Sequence, residues 1–107
     1  MRKLINDVQD WGFDKGILKD YQEHELHGIR MAQWEKSREE LIELREAIQK
    51  NSFEDAEDAV GDVIVTLIMQ CALWPNMDIE DALTSAYNII SKRTGKMVDG
   101  QFVKDTE

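Results

Sequence analysis

Apolar residues recur along the chain at the three- and four-residue spacing of α-helices, whereas the alternation typical of β-strands is nearly absent. The pattern predicts four helices and an all-α fold. We expect the helices over about Met1 to Trp11, Tyr21 to Lys50, Ser52 to Trp74 and Ile79 to about Arg93. Only one Pro and six Gly interrupt the chain, which leaves room for helices of this length.

Turn and capping residues mark the boundaries between these helices. Ser52 and Asp78 are suited to accept backbone N–H donors at the start of the third and fourth helices, and Pro75 ends the third. After the fourth helix, an Asp99-Gly100 turn separates two short apolar pieces. This tail fits either a small hairpin or an arm packed on a neighbouring subunit.

The third predicted helix is apolar on nearly all of its circumference, which indicates burial on most sides. Its broad apolar face consists of Val60, Val63, Ile64, Leu67, Ile68 and Cys71. The second helix has two stripes side by side, an apolar one (Trp34, Leu41, Leu44, Ile48) and a mixed one (Gln33, Lys36, Glu40, Glu43, Ala47). Because four helices in one small chain would struggle to cover the third helix, we expect a homo-oligomer.

The composition suits a single globular domain, since 42% of the 107 residues are hydrophobic. The formal charge of −9 argues against a nucleic-acid polymer or an anionic membrane as a partner. The N-terminus lacks the apolar segment of a signal peptide, and the longest apolar stretch, Val63 to Trp74, is too short to span a bilayer. With Cys71 as its one cysteine, expected to be buried, the chain is predicted to be cytoplasmic.

Two groups of carboxylates are candidates for chemistry. Glu39, Glu40 and Glu43 are neighbours on the second helix, and Asp58 and Asp62 lie one turn apart on the third. A short connection between antiparallel helices would place the two groups opposite each other. Taken alone, such a set is more typical of a solvated acidic face. However, Asp62 directly precedes the most apolar stretch, where a carboxylate is costly unless it is paired or binds a metal. Ligands that are all oxygen favour Mg²⁺ or Mn²⁺ over zinc.

A dense basic cluster, Lys92, Arg93 and Lys96, lies at the end of the fourth helix. Cations at this position interact favourably with the helix dipole, and in so acidic a protein they are also candidates to hold a phosphate tail. Both interpretations remain open. His24 and His27 are interpreted as helix-surface residues. They do not form the Glu-x-x-His motif of di-iron bundle proteins, which disfavours that class.

Four blocks of the sequence resemble, in the same order, the MazG-like family of all-alpha nucleoside triphosphate pyrophosphohydrolases. The blocks are Trp11-Gly12-Phe13-Asp14-Lys15-Gly16-Ile17-Leu18; Gln33-x-x-Lys36-x-x-Glu39-Glu40-x-x-Glu43-Leu44; Asp58-Ala59-Val60-Gly61-Asp62-Val63-Ile64; and Ala86-Tyr87-Asn88 with Lys92-Arg93-x-Gly95-Lys96-Met97-Val98-Asp99-Gly100-x-Phe102-Val103-Lys104. The last block looks like the tail of small phage and bacterial members. The sequence departs from the family at Ala59, where the pattern has the first Glu of a Glu-x-x-Asp pair.

The resemblance implies a four-helix bundle in a single domain of residues 1–107, with residues 97–107 as a short C-terminal arm. It also implies oligomerisation through the helices into homodimers or homotetramers. The implied activity is Mg²⁺-dependent hydrolysis of a nucleoside triphosphate to the monophosphate and pyrophosphate, with Mn²⁺ as a substitute, in the cytoplasm of a bacterium or a phage-infected cell.

The resemblance further implies roles for individual residues. The metal ligands would be Glu39, Glu40, Glu43, Asp58 and Asp62. Within this set, Glu39 would alternatively orient the attacking water, and Asp58 would substitute for the missing Glu. The phosphates would be held by Lys36, Asn88, Lys92, Arg93 and Lys96. The base would be held by Trp34 together with the loop between the first two helices, residues 12–18, which we call the entry loop.

Two other functions remain open at this point. A helical module of the same fold that binds nucleotide without hydrolysing it would account for Ala59. A helical-bundle phosphohydrolase with a different cleavage position would release phosphate instead of pyrophosphate.

Overall fold

The computed structural model describes residues 1–106 and contains the four expected helices. They are α1 (Arg2–Asp14), α2 (Leu26–Lys50), α3 (Phe53–Ala72) and α4 (Ile79–Ile90), followed by a two-stranded antiparallel hairpin of β1 (Gly95–Val98) and β2 (Gln101–Lys104). The prediction of an all-α fold is therefore confirmed. The tail forms the hairpin that the sequence allowed, with Asp99 and Gly100 both at positive φ in its turn, and packing of the tail on a neighbouring subunit stays a prediction.

The cap residues act as expected at α3 and α4. The Ser52 hydroxyl accepts a hydrogen bond from the backbone N–H of Asp55 at 3.2 Å, and the Asp78 carboxylate accepts one from Glu80 at 3.0 Å. Each bond satisfies a backbone donor that the helix itself leaves unpaired. Between α2 and α3, Asn51 adopts the left-handed conformation that commonly closes a helix, so the connection takes only two residues.

The second helix begins later than the sequence pattern predicts, at Leu26 instead of near Tyr21. The residues before it form one turn of 3₁₀-helix, Glu23–Glu25, in which the Glu25 carboxylate accepts from the backbone N–H of Gln22 at 2.8 Å. Tyr21 is held against the entry loop, since its hydroxyl donates to the carbonyl of Ile17 at 2.7 Å. The bond from Gln22 to Glu25 belongs to a capping box, so the helical segment starts at this 3₁₀ turn, close to the predicted position, and continues as α2.

The core lies between α1, the entry loop and α3. Its buried residues are Ile5, Leu18, Ile68, Met69 and Leu73. Gly12 lets α1 approach α3 closely, because a Cβ atom there would lie 2.5 Å from the sulfur of Met69 and would force the end of that buried side chain to move. Cys71 is buried, as predicted, and the loss of solvent raises the pKa of its thiol. No helix within residues 1–106 is long and apolar enough to cross a membrane.

The fourth helix and the hairpin extend away from this core. Within residues 1–106, only the first turn of α4 is attached to the rest of the molecule: it adjoins the end of α3, Ile79 packs against the core, and Glu80 pairs with Arg2 of α1. No residue of α4 is buried, and the two strands meet only each other. The radius of gyration is accordingly 16.4 Å, against about 13 Å for a compact domain of this length. Apolar side chains on these elements are exposed: Leu83, Tyr87, Ile89, Ile90, Met97, Val98, Phe102 and Val103.

The apolar faces singled out in the sequence are also left partly open. On α2, Trp34, Leu41 and Ile48 are 50%, 52% and 66% exposed, and on α3 nearly half of Ile64 and Leu67 is exposed. A single chain therefore leaves part of α3 uncovered, as expected for four helices in so small a chain, and burial of α3 on most sides stays a prediction for an assembly. The side of α2 that packs against α3 is the mixed stripe, in which Ala47 and Glu40 are buried.

An ion pair ties the start of α1 to the start of α4. The Arg2 guanidinium donates to the Asp78 carboxylate at 2.6 and 2.9 Å and contacts Glu80 at 2.6 Å. The hydrogen bond from Arg2 lowers the pKa of Asp78. A carboxylate with a lowered pKa contributes stability above its unfolded pKa, and that contribution is lost as the pH falls through the lowered value.

Arg2→Gln should therefore lower the melting temperature at neutral pH, and the difference from wild type should shrink as the pH falls below about 4. Thermal unfolding followed by circular dichroism at pH 7 and pH 3 measures this. Equal differences at the two pH values would contradict the assignment.

Candidate functional site

A buried hydrogen bond sets the register of α2 against α3. The Ser37 hydroxyl donates to the Thr66 hydroxyl at 2.7 Å, and Thr66 in turn donates to the carbonyl of Val63 at 2.7 Å. Both side chains are buried. Since the helices run antiparallel, the residues one turn beyond Ser37 lie beside those one turn before Thr66. This register brings Glu40 next to Asp62.

Removing the hydroxyl in Ser37→Ala should lower the free energy of unfolding by about 1 kcal/mol, because the bond between the helices is lost while Thr66 keeps its bond to Val63. The Ser37 hydroxyl also lies 3.2 Å from the carbonyl of Gln33 on its own helix, and that local contact is lost with it. Urea denaturation measures the change. As a matched control, Ser85→Ala removes an exposed hydroxyl from α4. If the two variants were equally stable, Ser37 would not hold the register.

Three of the predicted carboxylates converge at this point. One oxygen each from Glu40, Glu43 and Asp62 lies within 4.8 Å of the other two, a spacing suited to a shared metal ion. We call these three residues the carboxylate cluster. Glu40 and Glu43 come from adjacent turns of α2, and Asp62 comes from the facing side of α3.

Glu40 is the most constrained member of the cluster. The residue is 8% exposed, and its Oε1 lies 3.5 Å from Nζ of Lys36. Its Oε2 is buried and has no hydrogen-bond partner. A buried carboxylate oxygen without a partner is unfavourable, so this atom points to a cation as its natural partner. The sequence had indicated Asp62 as the carboxylate nearest the core, but Asp62 is exposed, and Glu40 takes that position.

The electrostatics of the cluster favour a cation too. Glu40 raises the pKa of Glu43 in two ways. A protonated Glu43 can donate a hydrogen bond to Glu40, and protonation also removes the repulsion between the two negative charges. Loss of solvent and the charge of Asp62 add to this effect, and Lys36 opposes it. A divalent ion would relieve the same repulsion. The donor set is entirely oxygen, which fits a hard divalent metal.

Two further carboxylates predicted as ligands lie beside the cluster and not in it. Glu39 is exposed, and its Oε2 accepts from Nζ of Lys36 at 3.3 Å. Its side chain therefore projects beside the cluster, about 100° around the helix from Glu40. Asp58 is also exposed and lines the cleft next to the cluster.

That acidic cleft has a volume of about 380 Å³ and continues from the cluster toward the connection between α2 and α3. It is lined by Glu43, Glu46, Lys50, Asp55, Asp58, Ala59 and Asp62. Lys50 is paired with Asp55 at 3.0 Å. Ala59 is 3% exposed and forms part of the wall one turn before Asp62. The departure from the family pattern thus lies at the cleft itself.

The residues predicted to bind substrate are divided between two regions. Lys36 is at the cluster, between Glu39 and Glu40. Asn88 is on α4, Lys92 and Arg93 follow in the exposed segment that leads into the hairpin, and Lys96 lies in β1. Within residues 1–106 neither α4 nor the hairpin contacts α2, so a single chain does not bring these four residues to the cluster. Trp34 is half exposed on α2, with Arg38 over its ring.

The sequence reasoning missed the buried pair of hydroxyls that aligns the cluster. A signal for it was present: Thr66 interrupts the apolar run of α3, and Ser37 lies one turn before Glu40. Small polar residues facing each other on adjacent helices are typical of such a bond, but one sequence does not show which two meet.

The model of the MazG nucleotide pyrophosphohydrolase domain matches residues 34–98, well over half of the chain. The matched region holds the whole carboxylate cluster, α3, α4 and the first strand of the hairpin. Comparison of the chain with curated proteins and with solved structures finds no match.

Proposed function

Since the chain belongs to the MazG nucleotide pyrophosphohydrolase family, we propose that it hydrolyses a nucleoside triphosphate to the monophosphate and pyrophosphate with Mg²⁺ as cofactor. The observation that carries the proposal is the carboxylate cluster, in which the buried Oε2 of Glu40 has no partner within the described chain. The family supports nucleotide pyrophosphohydrolysis in general, and the cluster supports a divalent metal.

Glu40, Glu43 and Asp62 would hold the metal. When bound, Mg²⁺ supplies charge neutralisation for the triphosphate and makes a water molecule more acidic. The cluster itself has two tasks. The rigid, buried Glu40 fixes the position of the charge, while the exposed Glu43 and Asp62 leave one side open to the substrate. Glu39, at the rim, is placed to orient water or to accept its proton.

Lys36 is the cation placed to contact the phosphates. Its ammonium group is exposed and lies 3.3 to 3.5 Å from the carboxylates of Glu39 and Glu40. These carboxylates raise its pKa, the hydrogen bond to Glu39 first, so the amine remains protonated at neutral pH. A protonated lysine can share its three donors between a carboxylate and a phosphate oxygen.

We further propose that the chain acts as a homodimer or homotetramer. The exposed apolar faces of α2, α4 and the hairpin support this, as does the extended shape of the single chain. In such an assembly, Asn88, Lys92, Arg93 and Lys96 would reach the phosphates at the cluster of a second copy. Light scattering should give a mass of two or four times 12.4 kDa. A monomer at micromolar concentration would contradict this proposal.

The experiment that tests the activity is product identification. Pure protein is incubated with Mg²⁺ and each of the common ribo- and deoxyribonucleoside triphosphates, and the products are separated by anion exchange. Monophosphate with pyrophosphate is the expected result. Diphosphate with phosphate would indicate the other cleavage position. Binding of nucleotide without any turnover would indicate a non-catalytic module.

A further inference from the structure

A groove between α1 and α3 opens directly beside the carboxylate cluster. It is lined by Asp7, Val8 and Trp11 from α1 and by Asp62 and Val65 from α3, with a volume of about 310 Å³. The walls are mainly the apolar surfaces of Val8, Trp11 and Val65, and the two carboxylates lie at its edges. This is the lower end of the range for small-molecule sites, and it suits one aromatic ring system better than a whole nucleotide.

The groove and the cluster share Asp62. A nucleoside triphosphate whose phosphates are held at the cluster must therefore place its sugar and base in one of the surfaces that adjoin it. Two cavities within residues 1–106 include Asp62 in their lining: this groove, on the α1 side, and the acidic cleft, which extends toward Lys50.

The acidic cleft is a poor place for a nucleobase. Its lining has no aromatic residue and carries five carboxylates, Glu43, Glu46, Asp55, Asp58 and Asp62. A third cavity, of about 360 Å³ with Phe13, Tyr21 and Trp74 in its wall, lies at the far end of α3 near Ala72. Ten residues of helix separate Ala72 from Asp62, about 15 Å. Of the two cavities that include Asp62, the groove is thus the one with an aromatic wall.

Trp11 supplies a stacking surface there. It is 43% exposed, so part of a large apolar ring faces solvent at the groove. Nucleobases stack on exposed tryptophan faces regardless of sequence, because every base has a flat π surface. Asp7 lies one turn before Trp11 on the same side of α1.

We propose that this groove seats the nucleobase, stacked on Trp11, and that Asp7 favours bases with an exocyclic amino group. The inference rests on the proposed function, because it takes the phosphates to lie at the cluster. The Oδ2 atom of Asp7 accepts from Nζ of Lys3 at 2.9 Å, and a carboxylate has further acceptor capacity for an amino N–H. Cytosine, adenine and guanine carry such a group, whereas uracil and thymine do not.

The test measures binding without turnover. The probes are the α,β-methylene analogues of deoxycytidine and thymidine triphosphate, in which the bond to be cleaved is replaced, with Mg²⁺ present. Calorimetry on the wild-type protein should show tighter binding of the cytidine analogue. Trp11→Ala should weaken binding of both analogues about five- to a hundredfold, and Trp11→Phe should retain most of the affinity. Trp74→Ala is the matched control, since Trp74 is 42% exposed but lies far from the groove.

Asp7→Asn tests the preference among bases separately from the stacking of the base on Trp11. The amide can donate to a carbonyl oxygen, so the preference for cytosine over thymine should shrink or reverse while Mn²⁺ binding stays as in wild type. The groove assignment is overturned if Trp11→Ala binds both analogues as tightly as Trp74→Ala does, or if Asp7→Asn leaves the preference unchanged. Hydrolysis that does not depend on Trp11 would refute the groove as the base-binding site but would support the proposed activity. Groove-dependent binding without turnover would refute the activity and leave the groove standing.

Discussion

Glu40→Gln and Asp62→Asn should each lower the rate of nucleotide hydrolysis by at least about a thousandfold, because several kcal/mol of charge stabilisation depends on these oxygens. Both changes preserve shape and remove one negative charge from the cluster. Since Glu40 is buried with one oxygen unpartnered, and since it raises the pKa of Glu43 first through a hydrogen bond and then through charge repulsion, the Glu40→Gln protein should be no less stable than wild type without metal. Steady-state rates and thermal unfolding measure the two effects.

Glu35→Gln provides the matched control for this pair. Glu35 is an exposed carboxylate of the same helix that pairs with Arg38 at 2.7 Å, away from the cluster. Its replacement should leave the rate within about twofold, as exposed ion pairs contribute little. A rate near that of wild type in either Glu40→Gln or Asp62→Asn would overturn the assignment of the cluster.

Ala59→Glu should strengthen metal binding by about ten- to a hundredfold. The side chain would extend from the wall of the acidic cleft, one turn before Asp62, and add a fourth carboxylate to the set. Added charge tightens a hard-metal site, and each factor of ten corresponds to about 1.4 kcal/mol. Mn²⁺ binding followed by electron paramagnetic resonance measures the affinity and the number of ions bound.

The control for this variant is Ala59→Gln, which has the same size without the charge. It should bind Mn²⁺ no more tightly than wild type, and any loss of stability it shows is the cost of placing a long side chain at a position that is 3% exposed. If Ala59→Glu also bound Mn²⁺ like wild type, the added carboxylate would not reach the ion, and Ala59 would not be the position that limits metal binding.

The helices and their starts could be predicted from the sequence because the signals are local. The apolar spacing fixes the helical class, and the caps Ser52 and Asp78 act on backbone donors within three residues of themselves. Periodicity does not reveal that the first helical turn, Glu23–Glu25, is 3₁₀ and that the α-helix itself begins at Leu26.

The composition of the carboxylate cluster depended on contacts between helices. Glu39, Glu40 and Glu43 look equivalent in sequence, yet only Glu40 is buried and only Glu40 and Glu43 join Asp62. What separates them is the rotation of α2 against α3, which the Ser37–Thr66 hydrogen bond fixes. The apolar face of α4 presents a different problem. Its pattern predicts that the face is buried, but the pattern does not show whether the same chain or another molecule covers it.

The central claim is that the carboxylate cluster binds one divalent metal and that this metal is required for nucleotide hydrolysis. The direct measurement is a Mn²⁺ titration of the wild-type protein in which bound ion, by electron paramagnetic resonance, and pyrophosphate release are followed in the same samples. Both curves should rise together with the same midpoint, and both should be absent in Asp62→Asn. Pyrophosphate release without bound Mn²⁺, or unchanged Mn²⁺ binding in Asp62→Asn, would contradict the claim.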